Sequence, residues 1–382
     1  MPKEKKRPDV VAIYCPLWHN YDHASSWKGE GWCEWELAKS AIPRFPGHCQ
    51  PLKPSWGFFD ESDPQWSARE VHLAADHGID VLLFDWYWYS GVKIMEEALE
   101  DGFLRTPARR RAKFAIMWAN HDWTDYFPPP FGKPWNMWLP SRHSPRDLER
   151  VIDYSIEHYF RRPNYWQVEG RLFYSVFQPV KFVNELGGPQ ATRKLLKSMD
   201  RRLRDAALPP IHWNAMLWSP DPVPMLKEAG FRSTTTYVVN SAGKAVDLVE
   251  RYEDVMEGHR QLWQRMSAAP LPYVPVVSMG WDVTPRCLKD IPWPFPPSPA
   301  SGRHDYPYMS LVVGNTPERY EQLCRDAAQH IERDPAKPFA VMLNAWNEWT
   351  EGSYLLPEER TGTAYLEALR RVFGKRYILL HK

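Results

Sequence analysis

The chain has 382 residues, 43% of them hydrophobic, and 48 Lys and Arg stand against 47 Asp and Glu for a formal net charge of +1. That length suits one large α/β barrel or two smaller domains, and the apolar share is ample for a core. The near-neutral balance excludes an electrostatic case for nucleic acid or an anionic membrane surface, and no apolar run approaches the ~18 residues of a spanning helix.

In chain order, residues 10–16 (VVAIYCP) read as the first strand. Residues 64–78 predict a helix capped by Asp63 and stopped at Gly78. Strand two is 80–85 (DVLLFD), followed by helical 93–103; strand three is 113–118 (KFAIMW). Residues 144–161 form a helix opened by Ser-Pro. Strand four is 171–177, then helical 189–207; strand five is 211–217, then a short helix at 222–229. Strand six is 232–238 before a long helix at 246–268, and strand seven is 273–278. A helix at 317–334, strand eight at 338–344 and a last helix at 363–373 complete the series.

These are eight β/α units in strict alternation. The pattern predicts a single α/β (β/α)8 TIM barrel over residues 10–382, behind an N-terminal tail of residues 1–9. No Gly-x-Gly-x-x-Gly follows a strand, so a dinucleotide fold has no support. Two long insertions, 17–60 and the Pro-rich 282–315, follow strands one and seven. They belong on the C-terminal face, where barrels place their sites.

Tryptophan is over-used, at 20 residues, and indole suits surfaces that stack on sugar rings. The 37 prolines fit long ordered loops on a rigid scaffold. The five cysteines are odd in number and form no CxxC, so neither a disulfide framework nor a zinc site is indicated; Cys15, Cys33 and Cys49 lie close enough in sequence to leave one bridge open. The basic run 105–113 reads as a solvated helix end. The start, MPKEKKRPD, lacks the apolar stretch of a signal peptide. As written, the chain reads as cytoplasmic, or as periplasmic or secreted if a signal peptide was removed.

The strand ends concentrate polar and aromatic groups. The run Asn344-Ala-Trp-Asn-Glu-Trp-Thr-Glu-Gly-Ser353 places Glu348 and Glu351 where strand eight passes into a loop. Paired carboxylates between aromatic walls are the minimum equipment for hydrolysing a glycosidic bond, which makes these two the catalytic candidates. Two solvated loop glutamates are the alternative. Candidates for binding a sugar are Tyr14, Trp18, Glu34, Trp35, Asp85, Trp86, Trp88, Trp118, Asn120, His121, Asp122, Trp123, Trp281, Asn344, Trp346 and Asn347. Several have bland alternatives. Asp85 could cap the barrel rim, and Trp118 could be core. His121 and Asp122 could bond each other locally. Glu34 either meets a sugar hydroxyl or pairs with an arginine. His121 beside Asp122 lacks a metal-ligand spacing, so neither a metal nor a cofactor is expected. The expected partner is an oligosaccharide or polysaccharide.

Five segments carry a family resemblance: Gly31-Trp-Cys-Glu-Trp35, Gly47-His-Cys-Gln-Pro51, Gly78-Ile-Asp80, Trp118-Ala-Asn-His-Asp-Trp-Thr124 and Asn344-Ala-Trp-Asn-Glu-Trp-Thr-Glu-Gly352. They resemble the WbsX-like proteins, relatives of the family 99 glycoside hydrolases, the endo-α-mannosidases. Tyr365-Leu-Glu-Ala-Leu369 also fits, and the similarity runs from about residue 10 to 374. The resemblance implies a (β/α)8 barrel and a retaining mechanism on α-mannosides. Carried over, Glu348 would be the base on the substrate's 2-hydroxyl, giving a 1,2-anhydro sugar, and Glu351 the general acid, then base. Thr350 stands where the hydrolases resemble Glu-Trp-His-Glu, a substitution typical of the WbsX-like branch. That branch often carries a glycosyltransferase label, so transfer to an acceptor sugar and non-catalytic glycan binding are the competing readings.

Overall fold

A computed structural model describes residues 7–374. Residues 1–6 of the expected tail and 375–382 of the expected barrel lie outside the described residues. Eight parallel positions form the barrel: β1 (Asp9–Tyr14), β2 (Val81–Tyr89), β3 (Lys113–Trp118), β4 (Arg171–Val176), β5 (Ile211–Met216), β6 (Ser233–Thr235), β7 (Tyr273–Val274 and Val276–Ser278) and β8 (Ala340–Asn344). Neighbours follow sequence order around the ring, and β1 closes it on β8 with Asp9 opposite Ala340. Proline cannot donate to a ladder, and Pro275 divides β7. The first piece pairs with β6 and the second with β8, while the Pro275 carbonyl still accepts from Met342 N at 2.9 Å. This is the expected (β/α)8 fold. Among the described residues no helix is long and apolar enough to cross a membrane.

Helix starts follow local chemistry. Asp63, Ser144 and Thr316 each accept a backbone N–H from the first turn, and each precedes a proline at the first helical position. The helix Pro64–Asp76 then turns back through Gly78, which sits at φ +86. A Cβ there would lie 2.1 Å from the carbonyl oxygen of Gly374, so only glycine fits.

Three expectations differ from the structure. Strand two runs on to Tyr89 and folds back through Ser90 and Gly91, both at positive φ, into a hairpin with Val92–Ile94. Two positive φ values suit the tight turn of a hairpin, so the expected helix at 93–103 shrinks to a single wide turn, Ala98–Phe103. The expected helix at 246–268 begins only at Tyr252, because Val249–Arg251 pairs in parallel with Leu311–Val313 from the second insertion. Short helices Asp22–Lys28, Trp35–Ser40 and Pro179–Glu185 were not anticipated.

One apolar cluster runs through barrel and helices, with a satellite of Cys287, Phe295 and Tyr308 under the second insertion. All five cysteines are free thiols.

Candidate active site

The segment after β8 is a tight antiparallel hairpin. Asn347–Glu348 pairs with Ser353–Tyr354 around the turn Trp349–Glu351. Three clamps hold it. Asn347 accepts from Cys15 N at 2.8 Å and donates to Cys15 O at 3.0 Å, which fixes the hairpin to the end of β1. Trp346 N donates to Ile13 O at 2.7 Å. Gly352, at φ +66, lets Asp282 N reach Glu351 O at 2.6 Å; a Cβ on Gly352 would lie 2.8 Å from that nitrogen.

Asp282 also shapes the start of the second insertion. Its Oδ1 accepts from Thr284 N at 3.0 Å and Thr284 Oγ1 at 2.6 Å, setting up the turn Thr284–Arg286. Arg286 therefore points into the site. Its Nη2 donates to Glu348 Oε1 at 2.8 Å, its Nη1 to Glu351 Oε1 at 2.5 Å and its Nε to Glu34 Oε1 at 2.7 Å. The two catalytic candidates thus sit on neighbouring nitrogens of one planar fork, less than a nanometre apart. Phe127 lies under the guanidinium, 5.2 Å from ring centre to Cζ. Tyr306 OH joins the cluster, donating to Glu351 Oε1 at 2.9 Å and meeting Arg286 Nη1. Thr350, in the position that departs from the hydrolase pattern, hydrogen-bonds Glu34.

Burial pushes Glu348 well above the ordinary carboxylate range; Arg286 opposes the shift, and repulsion from Glu351 and Glu34 adds to it. Burial raises Glu351 as well, against Arg286 and the Tyr306 hydrogen bond. Three carboxyl groups around one guanidinium cannot all ionise cheaply, so each carboxyl of the pair resists ionisation of the other.

Both line a cavity of about 390 Å³ at the C-terminal mouth of the barrel. Asp85 is on its floor, where Oδ2 accepts from Tyr237 OH at 2.8 Å and from the Cys15 thiol at 3.6 Å. Burial drives Asp85 up to about 8, although those hydrogen bonds pull the other way. Its Oδ1 is buried without a protein partner, as are the indole nitrogens of Trp123 and Trp281, which also line the cavity. His121 completes the set, held below its ordinary value by burial. Among the described residues no three His, Cys, Asp or Glu side chains are grouped to hold a metal ion.

The other candidates are not in the cavity wall. Side chains alternate along a strand. Asp85 and Tyr87 face inward on β2, so Trp86 and Trp88 face the surrounding helices, donating to Tyr159 OH at 3.0 Å and Asp147 Oδ1 at 3.1 Å. On β3, Met117 lines the cavity and Trp118 packs outward against His143 and Phe182. Tyr14 and Trp346 both donate to the buried Glu70 behind β1. Trp18 packs on Trp35, whose N–H donates to Phe59 O at 2.7 Å. Asn120 bonds Gln178 and His143, and Asp122 accepts from Ser141 N and Lys181. Asn347 is the clamp described above, and Asn344 is buried with both amide atoms unpartnered. Glu34 reaches the site through Arg286, the pairing left open by sequence.

Arg286, Tyr306, Tyr237 and Tyr87 were missed. For Arg286 the signal was indirect: a site with several acids needs a counter-charge, but nothing singles out one basic residue. Tyr87 was available from the alternation that makes Asp85 inward.

The family model described as Glycosyltransferase WbsX matches residues 10–369. The chain is 27% identical over 378 residues to the uncharacterized protein WxcX of Xanthomonas campestris pv. campestris, covering 96% of this chain and 50% of that protein. It thus spans about half the length of the curated relatives it matches. In three dimensions it resembles the GH99 endo-alpha-mannosidase from Bacteroides thetaiotaomicron, with TM-score 0.61, 15% identity and 95% coverage of both chains. A glycoside hydrolase-like protein matches with TM-score 0.60 and 13% identity, covering 98% of this chain and 96% of the other. At such identities the likeness establishes the shared barrel, while the match over nearly the whole chain establishes the lineage: this protein belongs to the WbsX family.

Proposed function

We propose that the protein is a retaining glycoside hydrolase that cleaves an α-mannoside-like bond within a polysaccharide or glycan. The observation that carries this reading is the convergence of Glu348 and Glu351 on adjacent nitrogens of the buried Arg286, beside a cavity walled by Trp123, Trp281 and Tyr87. A pair of carboxyl groups less than a nanometre apart on one guanidinium can supply one base and one acid. Roles follow motif order, although burial lifts Glu348 well above the ordinary carboxylate range, a shift that by itself would suit the acid. Glu348 takes the proton of the 2-hydroxyl, and that oxygen closes on the anomeric carbon as the glycosidic bond breaks. Glu351 gives its proton to the departing oxygen, then accepts one from the water that attacks the anomeric carbon. The C1–O2 bond opens, and O2 regains its proton from Glu348. Asp85, Trp123 and Trp281 line the cavity, and this reading assigns them to contact with the sugar.

A second reading, transfer to an acceptor sugar, is favoured by the family's description. It would use the same pair with a hydroxyl in place of water. A nucleotide-diphosphate donor is less suited: Arg286 is the lone Lys or Arg among the described residues lining the cavity, and three carboxyl groups already occupy it. The test is turnover on a panel of defined α-mannosides, alone and with acceptor sugars or nucleotide sugars, with products identified by NMR. Release of a reducing sugar with retained configuration supports hydrolysis. Chain growth from a nucleotide sugar, with no cleavage of any glycoside, overturns it.

A further inference from the structure

One stretch of the cavity wall has no part in the chemistry above. β5 stands on the far side of the ring from β1 and β8, and Trp218 follows it. Trp218 lines the cavity yet is 45% exposed, whereas the other lining residues are buried or half-buried. Its ring is fixed: Nε1 donates to Val238 O at 2.8 Å, and Phe177 meets it edge-on at 5.7 Å between centres. An indole whose N–H is already satisfied and whose surface remains open is a preset platform, with little ordering left to do on binding.

Beside it are Gln178 and Asn240, also cavity-lining. The Gln178 backbone is pinned by Asn120, with Gln178 N donating to Asn120 Oδ1 at 2.6 Å, but neither side-chain amide has a hydrogen-bonding partner among the described residues. Each amide offers donors and an acceptor, the pattern that matches sugar hydroxyls. Trp218, Phe177, Gln178, Val238 and Asn240 carry no charge, in contrast to the carboxyl-rich opposite wall. A flat apolar surface flanked by two free amides matches the apolar face and equatorial hydroxyls of a neutral pyranose.

We propose that Trp218, Gln178 and Asn240 form a second sugar subsite, which takes a neutral hexopyranose unit adjoining the one held at the glutamates. The preferred substrate is then an oligosaccharide or longer chain, not a single glycoside. This rests on the reading of Glu348 and Glu351 as the cleaving pair, and the test separates the two.

The full chain is titrated calorimetrically with neutral α-mannose, α-glucose and β-glucose oligosaccharides of one to four units, and cleavage of the same sugars is followed. At least one series should bind with affinity rising roughly tenfold beyond the monosaccharide, the effect of one well-packed aromatic contact. Trp218→Ala and the Gln178→Ala/Asn240→Ala pair should each remove most of that gain while monosaccharide binding drops far less. Glu348→Gln should keep the Trp218-dependent gain and lose cleavage. A length-dependent gain that survives in both variants overturns the subsite, as does the failure of every neutral series to bind. Trp218-dependent binding by a wild-type protein that cleaves nothing upholds the subsite and removes the hydrolase reading.

Discussion

Replacing Arg286 with Met tests the charge balance of the site. The change keeps much of the apolar stem and removes the guanidinium that Glu34, Glu348 and Glu351 share. Taking one partner from a buried ion cluster costs about 3–5 kcal/mol while the remaining charges stay ionised. At ~2.1 cal/mol/K of unfolding entropy per residue, a chain of 382 residues has ~0.8 kcal/mol/K, so Tm should fall by about 4–6 °C. That cost applies only where the carboxyl groups are charged. Burial already raises Glu348 and Glu351, and without Arg286 they rise further, so the pair is more fully protonated at pH 5 than at pH 8 and the penalty is smaller there. Differential scanning calorimetry of wild type and variant at pH 5 and pH 8 reads the difference. An equal drop at both pH values, or none at pH 8, would refute the shared-charge account. Activity should be lost at either pH, because the fork that spaces the two acids is gone.

Other outcomes follow from the same geometry. Trp118→Ala should lower stability by about 3–5 kcal/mol in denaturant unfolding and leave KM unchanged, since the ring packs outward against His143 and Phe182; a raised KM with intact stability would place it in the cleft. Gly352→Ala forces a side chain against Asp282 at φ +66, so kcat should fall more than tenfold with a stability loss of about 1–3 kcal/mol, read by kinetics and melting in parallel. Tm should decline as pH rises from 6.5 towards 9. His19, its pKa lowered by burial but carried up to about 9 by Glu61 and Glu97, stabilises fully below 6.5 and loses that contribution as pH climbs through 9. Asp85 and Glu70, raised by burial to about 8, retain a proton that the unfolded chain has released, so they too cost stability as pH climbs to 8. A Tm that rises over this range contradicts the assignment, and His19→Gln should flatten part of the slope.

The barrel was legible because each buried parallel strand is a short apolar run and each following helix announces its start, as at Asp63-Pro64 and Ser144-Pro145. The limits of that legibility were the backbone reversals. Ser90-Gly91 turns a strand into a hairpin where a helical pattern also fitted, and Leu311–Val313 claims Val249–Arg251 from a distant insertion. In the site, the two glutamates, Asp85, His121, Trp123 and Trp281 come together in one cavity. The tryptophans that do not join them were separable in principle. In Asp85-Trp-Tyr-Trp-Tyr89 the residues alternate, and once Asp85 faces inward, Trp86 and Trp88 must face away. Arg286 lay beyond reach, since its place depends on how the second insertion folds over the barrel mouth.

The most direct test of the central claim compares wild type, Glu348→Gln and Glu351→Gln on a series of aryl α-mannosides that differ in leaving-group acidity. If Glu351 protonates the departing oxygen, Glu351→Gln should lose a factor of roughly 10²–10⁴ on poor leaving groups and retain measurable turnover on the most acidic ones, while Glu348→Gln should be impaired across the whole series. A uniform loss for Glu351→Gln whatever the leaving group, or unchanged turnover in both variants, would contradict the assignment of these two carboxyl groups as the acid and base.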